Sequence, residues 1–347
     1  MPARHHRSTE HANPPAMAHI FPVEPRSHRY LRLALLPAIL ALVSIPWNLA
    51  AQVSTSYTFS ASSGSYSEIS GGTQLWGGFN GTFDDQVSSA QTIPSFNFNG
   101  TAYTEMYVSA NGFITFGSAP SGTNYTPLSS GESYSGAISA FGADIENRST
   151  SFTTRTVRWQ TVGNEVIVQW KNARRQGESE YFDFQIRLNT STNAIVIVYG
   201  PRSTPDNATS NQPQVGLRGA NNLLLSNLNN RRVGTGSETW ANPLAGNAFS
   251  NTMRYTDSSP AKSWSSGQTY SWTACTPPTV SVTPSAPSYC PGGSVALTAS
   301  GANAYTWSPA AGLSATTGAN VTANPTSTSS YTVSGTNTGC ALSLIHI

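Results

Sequence analysis

Glu178-Ser-Glu-Tyr-Phe-Asp183 sets three carboxylates at i, i+2 and i+5. Paired carboxylates are the residue types that hydrolyse glycosidic bonds, one as general acid and the other as nucleophile or base. Arg174 and Arg175 stand just ahead of the run. Arginines beside acids on a loop form solvated ion pairs, and we take that structural reading, with no residue assigned to catalysis. Asp144-Ile-Glu146 is a second carboxylate pair, set in a Ser/Thr/Asn-rich turn, and it is read the same way. Asp84-Asp85, close to Asn80 and Gly81, suits Ca²⁺, which takes oxygen ligands from loops. No EF-hand or RTX spacing accompanies it, and the competing reading is a polar turn closed by Asx hydrogen bonds.

The histidines exclude whole classes of chemistry. His5, His6, His11, His19 and His28 lie near the N-terminus and His346 is next to last, so none falls between Gln52 and Ile345. Ser-His-Asp and Cys-His catalysis and every histidine zinc site are thereby removed from that region. Charge excludes another class. Five of the 18 Lys/Arg and two of the 16 Asp/Glu precede Ala51, leaving 13 and 14. A near-neutral chain whose only lysines are Lys171 and Lys262 has no basic stripe to follow a phosphate backbone, so no nucleic-acid partner is expected.

The elements that must position these residues read as strands. Met106-Tyr-Val-Ser-Ala-Asn-Gly-Phe-Ile-Thr-Phe116 alternates on both sides of Asn111-Gly112, a strong hairpin signal. A three-residue loop, Ala110-Asn111-Gly112, pairs Val108 with Ile114 and Met106 with Phe116. It places Gly112 where the chain needs positive φ. It also puts Tyr107, Ser109, Phe113 and Thr115 on the opposite face. Tyr107 and Phe113 are therefore the candidate ligand-binding aromatics, able to stack on a sugar or grip a partner; the competing and preferred reading is that a second layer of loops covers them.

Thr156–Val162, Val166–Trp170, Phe182–Leu188 and Ala194–Tyr199 read as a four-stranded meander. Phe182, Phe184, Ile186 and Leu188 alternate with Asp183, Gln185 and Arg187, a clear period of two. Tyr57–Ser60, Ile93–Phe98, Ala137–Phe141, Gln214–Leu217, Met253–Tyr255 and Tyr270–Trp272 are the remaining strand candidates of this region. Trp159 and Trp170 are expected in the core. Many short strands with no helical window predict an all-β fold: a large antiparallel two-sheet sandwich, jelly-roll-like, over residues 52–274.

Residues 1–51 read as a secretory signal peptide with a long basic N-region: Arg26, Arg29 and Arg32, an apolar run from Leu33 to Ile45, then a small-residue end at Ala50-Ala51. The run is short for a membrane span, and none is expected after cleavage. Cys275-Thr-Pro-Pro278 breaks the strand pattern and is read as a linker. From Ala274 onward there is no Asp, Glu, Lys or Arg. Five short strands over 279–333, with Trp307 at the centre, predict a small immunoglobulin-like sandwich over 279–347. Cys290 and Cys340 bracket those strands and are expected to form its disulfide, with Cys275 left over or competing for Cys290. The tail Leu342–Ile347 resembles translated sequencing adapter, so the chain is expected to be a C-terminally incomplete fragment.

Ile93-Pro94, Phe98-Asn-Gly100, Val108-Ser-Ala-Asn-Gly-Phe-Ile-Thr-Phe-Gly117, Ile138-Ser-Ala-Phe-Gly142, Val168-Gln-Trp-Lys-Asn172, Phe184-Gln-Ile-Arg-Leu188 and Gln214-Val-Gly-Leu-Arg-Gly219 carry a resemblance to a module of secreted surface proteins of the Bacteroidetes type. Cys290-Pro-Gly-Gly-Ser294, Tyr305-Thr-Trp-Ser-Pro309 and Tyr331-Thr-Val-Ser-Gly-Thr336 are similar to their Ig-like/PKD-like repeats. The resemblance implies type IX export, tandem repeats, and surface anchoring through a C-terminal region absent from this chain. The spacing at Glu178–Asp183 is similar to the catalytic strand of laminarinase-type glucanases, but with Asp last rather than central. The expected function is that of a secreted or cell-surface, non-catalytic adhesion-type protein. Its sandwich would bind an extracellular glycan or protein, and its Ig-like unit would be a spacer. The alternative is a secreted carbohydrate-active enzyme, or a binding module of one. No cofactor is expected beyond calcium at Asp84 and Asp85.

Overall fold

The computed structural model describes residues 53–78, 82–146, 155–203, 212–247, 249–256, 262–275, 278–290 and 292–337, and the backbone of 343–346. The leader expected over 1–51 lies outside the described residues, as do Asn80, Gly81 and Cys340. No helix among the described residues is long and apolar enough to cross a membrane.

A single helical turn, α1 (Val53–Ser56), precedes the strands. In chain order these are β1 (Tyr57–Ser63), β2 (Thr73–Gly77), β3 (Gln91–Phe98), β4 (Thr101–Ser109), β5 (Phe113–Phe116), β6 (Gly136–Gly142), β7 (Ile145–Glu146) and β8 (Thr156–Val162). Then follow β9 (Glu165–Arg175), β10 (Phe182–Asn189), β11 (Ile195–Arg202), β12 (Gln214–Arg218), β13 (Leu228–Arg232), β14 (Leu244–Ala245) and β15 (Gln268–Ala274). The fold is all-β. One sheet has the order β1-β15-β11-β10-β9-β8-β2, with β7 paired to β9; the other runs β14-β13-β12-β6-β5-β4-β3. The expected meander is β8 to β11, four consecutive neighbours in antiparallel register.

The period of two in β10 explains how the two sheets meet. Phe182, Phe184, Ile186 and Leu188 are all fully buried in one shared core. The Phe141 ring of β6 lies 4.5 Å from Phe182. Trp170 of β9 donates its indole N–H to the Ala110 carbonyl at 3.1 Å, and the Tyr199 hydroxyl of β11 donates to the Ala140 carbonyl at 2.7 Å. Each large apolar side chain buried in this way stabilises the fold by roughly 1.5–3 kcal/mol. The polar tips of Trp170 and Tyr199 are satisfied by backbone of the facing sheet, so burying these rings leaves no orphaned donor.

The outer face of the first sheet is covered as well. The chain between β1 and β2 crosses it, and glutamines of the sheet hold that segment. Gln169 accepts from the Ile69 N–H at 2.9 Å and donates to the Ile69 carbonyl at 3.3 Å. Gln185 donates to the Ser67 carbonyl at 2.8 Å. Asp183 and Gln185, two of the three polar members of the alternating run, are buried for this reason.

The hairpin β4–β5 has the expected three-residue loop, with Val108 opposite Ile114 and Ser109 opposite Phe113. Gly112 sits at φ 83°. A Cβ there would lie 2.2 Å from the Phe141 carbonyl oxygen, so only glycine fits. Of the two readings of the aromatic face, the structure has the covered one. Phe113 is fully buried outside the inter-sheet core, and Tyr107 is half-buried. The segment between β5 and β6 folds back over this face. Thr115 donates to the Ser118 carbonyl at 2.7 Å. Arg218 of β12 holds the segment through the carbonyls of Pro127 and Ser130 and the face of the Tyr134 ring.

Two readings of strands differ from the structure. Met253–Tyr255 contributes only isolated bridges, whereas β2 and the polar β13 (Leu-Asn-Asn-Arg-Arg) form strands. The last element of the sandwich, β15, pairs with the first, β1, over seven residues.

The C-terminal body is built from β16 (Ser281–Thr283), β17 (Val295–Ser300), β18 (Ala304–Ser308), β19 (Asn320–Ala323), β20 (Thr332–Thr336) and β21 (Ser343–His346). They form two three-stranded antiparallel sheets, β16-β17-β19 and β18-β20-β21. It has its own core around Trp307, Leu297 and Val333. The expected Cys290–Cys340 disulfide is also corrected. Cys290 is free and exposed on a turn ahead of β17, away from the core between the sheets. Cys275, directly after β15, is disulfide-bonded.

Candidate functional site

Asn111, at the tip of the β4–β5 hairpin, is fully buried and joins three separate loops. Its Nδ2 donates to the Gly122 carbonyl at 2.8 Å and to Asp85 Oδ1 at 3.3 Å. Its Oδ1 accepts from the Ile145 N–H at 2.9 Å. The tip itself is fixed by the N–H groups of Ala140 and Phe141, both 3.1 Å from the Gly112 carbonyl. One amide thus brings the loop after Phe83, the loop around Gly122 and the turn before β7 to one place.

Three carboxylates converge there. Asp84, Asp85 and Asp144 each place an oxygen within 4.8 Å of the others. Asp144 is buried, and the other two are half-buried. The Tyr125 hydroxyl donates to Asp85 Oδ2 at 3.3 Å. Desolvation, then the charges of Asp144, Asp85 and Asp84, push this phenol up to about 12. Three like charges at this spacing repel, and a hard cation with oxygen ligands offsets them. Asp84 and Asp85, the calcium ligands expected from sequence, are therefore together in the structure. Asp144 is the third member, and sequence reading had placed it in a different pair, with Glu146. Nothing in the local spacing connects residues 60 positions apart; only the tip of the hairpin does.

The carboxylates considered for glycoside hydrolysis have other partners. Glu180 is held by Arg175 through Nε at 2.5 Å and Nη2 at 3.1 Å, and both side chains are almost fully buried. The same guanidinium lies 5.2 Å from the Tyr255 ring centre. Glu146 pairs with Arg174 at 2.6 Å across β7 and β9. Asp183 accepts the Asn172 N–H at 2.7 Å, on the outer face of the first sheet. Burial raises the Asp183 carboxyl to about 6.

The other notable feature is apolar. Seven large hydrophobic side chains among the described residues stand exposed, and five of them flank β13: Leu223, Leu224, Leu225, Leu244 and Phe249. Leu225 begins the 3-10 turn that leads directly into β13. Leu244 lies opposite Arg232, at the far end of that strand. The chain then returns antiparallel past Asn230 to a turn closed between Asn247 and Ser250. Phe249, 99% exposed, is therefore carried back toward the end of β13 where Leu225 enters. Sequence reading missed these residues. Leu223-Leu-Leu225 was the available signal, an apolar run among asparagines with no alternation to make it a strand.

A family model of NIDO-related domains matches residues 56–274. The chain belongs to the NIDO-related family. The matched span runs from the last residue of α1 to the end of β15, so the hairpin, the acidic cluster and the leucines around β13 all belong to the NIDO-related domain. No curated protein and no solved structure matches the chain.

Proposed function

We propose that this is a secreted or cell-surface, non-catalytic adhesion-type protein whose NIDO-related domain binds an extracellular protein partner. The single observation that carries the reading is the set of exposed leucines and phenylalanine around β13. Exposed apolar groups gathered in one region mark interaction sites more often than chance exposure does. Aliphatic side chains match the apolar surface of a protein better than the hydroxyls of a sugar, so of the two expected partner classes the protein is preferred. The buried Arg175–Glu180 pair supports the non-catalytic half of the reading, because a carboxylate gripped on both oxygens has no free position for a substrate. The disulfide at Cys275 fits an oxidising compartment. The Ig-like body serves as a spacer in this reading, and the export route and anchoring implied by the Bacteroidetes resemblance belong to it as well. The test is retention of the full chain on immobilised extracellular proteins, compared with a variant carrying Leu223→Ser, Leu224→Ser, Leu225→Ser and Phe249→Ser. Wild-type retention that this variant loses supports the proposal. Equal retention by both, or turnover of a polysaccharide panel by the wild type, overturns it.

A further inference from the structure

The C-terminal body holds a cleft of about 950 Å³ between the segment that follows β16 and the segment that follows β19. Its walls include Ser285, Ser288, Tyr289, Asn324, Ser327 and Tyr331. The two segments are tied across the cleft by the Tyr289 hydroxyl, which donates to the Pro325 carbonyl at 2.7 Å. On the other side the Tyr331 hydroxyl donates to the Ala311 carbonyl at 2.8 Å. Both phenols are thus engaged, which fixes the rings. Tyr289 is half-buried, so part of its surface remains open to solvent. Ser285, Ser288 and Ser327 are exposed, and Val295 and Leu297 contribute apolar surface to the cleft.

The chemistry of the walls narrows the ligand. No Asp, Glu, Lys or Arg occurs from Ala274 to the C-terminus, and the walls of the cleft hold no charged side chain to pair with a phosphate, a carboxylate or an ammonium group. Serine and threonine hydroxyls donate and accept, as does the Asn324 amide through its two ends. A fixed tyrosine ring supplies an apolar face at little conformational cost. Hydroxyl groups opposite hydroxyl groups, with a ring for the C–H face, is the complement of an uncharged sugar. The volume lies at the upper end of the range for small-molecule sites, which suits a short oligosaccharide better than one ring.

We infer that this cleft is a binding site for an uncharged oligosaccharide, which gives the C-terminal body a recognition role beyond that of a spacer. The site is independent of the leucines around β13, and its ligand is of a different class from the partner proposed there.

Isothermal titration of the full chain with cello-, xylo-, manno- and malto-oligosaccharides, and with oligogalacturonate and heparin oligosaccharides as charged comparators, tests the inference. Saturable binding of at least one neutral series is expected, with the charged series unbound. Tyr289→Ala should weaken that binding by about tenfold or more. Because Tyr289→Ala also removes the tie to Pro325, Ser327→Trp serves as a second variant. It fills the cleft from an exposed position and should weaken binding to a similar degree. Val162→Thr, at the exposed end of β8 in the NIDO-related domain, should bind as the wild type does. Failure of every neutral series to bind at millimolar concentration overturns the inference, and so does binding that Ser327→Trp leaves unchanged. Retention on immobilised proteins is unaffected by Ser327→Trp, so failure of this site and failure of the β13 surface read out separately.

Discussion

Asn111 Nδ2 lies 3.3 Å from Asp85 Oδ1, so the tip of the β4–β5 hairpin and the acidic cluster are parts of one structure. The same side chain also accepts the Ile145 N–H and donates to the Gly122 carbonyl. Asn111→Ala removes all three bonds and leaves buried backbone groups unpaired, at a cost of about 3 kcal/mol. Asn111→Asp keeps an acceptor for Ile145 but places a fourth carboxylate beside Asp85. Its destabilisation should exceed that of the alanine variant at pH 7, because the added carboxylate faces three others. Urea denaturation of the two variants at pH 7 checks the order.

Calcium at Asp84, Asp85 and Asp144 makes a separate prediction. Millimolar calcium should raise the thermal midpoint of the wild-type chain, and chelator should lower it again. Asp144→Asn removes one ligand charge and one repulsive partner together. In chelator this variant should be at least as stable as the wild type, and it should gain less from calcium. A wild-type midpoint that does not respond to calcium would exclude calcium as the ion for this cluster.

Asp183 makes stability depend on pH with a defined sign. Its carboxyl is raised by burial to about 6, above the ordinary value of 3.8. Between these two values the folded chain holds the proton more tightly than the unfolded chain does. This group's contribution is therefore most favourable below about pH 4 and is lost as pH rises through about 6. Asp183→Asn should remove that slope and stabilise the fold at pH 7 by on the order of 2 kcal/mol, since the amide oxygen can still accept from Asn172. Chemical denaturation of wild type and variant at pH 5 and pH 7 reads the difference.

The Arg175–Glu180 pair should behave as a structural element. Glu180→Ala leaves a buried guanidinium without its carboxylate and should cost about 3–5 kcal/mol. Arg175→Met combined with Glu180→Leu should recover most of that loss, because two apolar side chains replace two buried charges. A double variant no more stable than Glu180→Ala would contradict the assignment.

The fold was largely legible in the sequence wherever one strand face met the core. The alternation in Phe182–Leu188 and around Asn111-Gly112 gave both strand identity and register, because a shift of one residue would have turned every apolar side chain outward. Thr73–Gly77 and Leu228–Arg232 were not legible as strands. The first is glycine-flanked, and the second is polar because its side chains bond neighbouring segments, as Asn229 does with the Tyr57 carbonyl at 3.0 Å. The site was legible only in part. Asp84 and Asp85 are adjacent in sequence, but Asp144 reaches them through Asn111, a tertiary contact that no local pattern encodes. Whether Phe113 is open or covered was not legible, because alternation names the face of a strand and is silent about what lies across it. The covering segment between β5 and β6 is held by Arg218, about 90 residues further on, and that too is a tertiary relationship. The Cys290 reading failed for a related reason: cysteine spacing suggests pairs and does not fix which of them meet.

The most direct test of the account is retention of the full chain on an array of immobilised extracellular proteins, run in parallel with the variant carrying serine at positions 223, 224, 225 and 249. The account predicts saturable retention of the wild type on at least one protein, reduced by about tenfold or more in the variant, with both chains equally folded by near-ultraviolet circular dichroism. Wild type and variant retained alike, or no retention of either together with release of reducing ends from a polysaccharide panel, would contradict it.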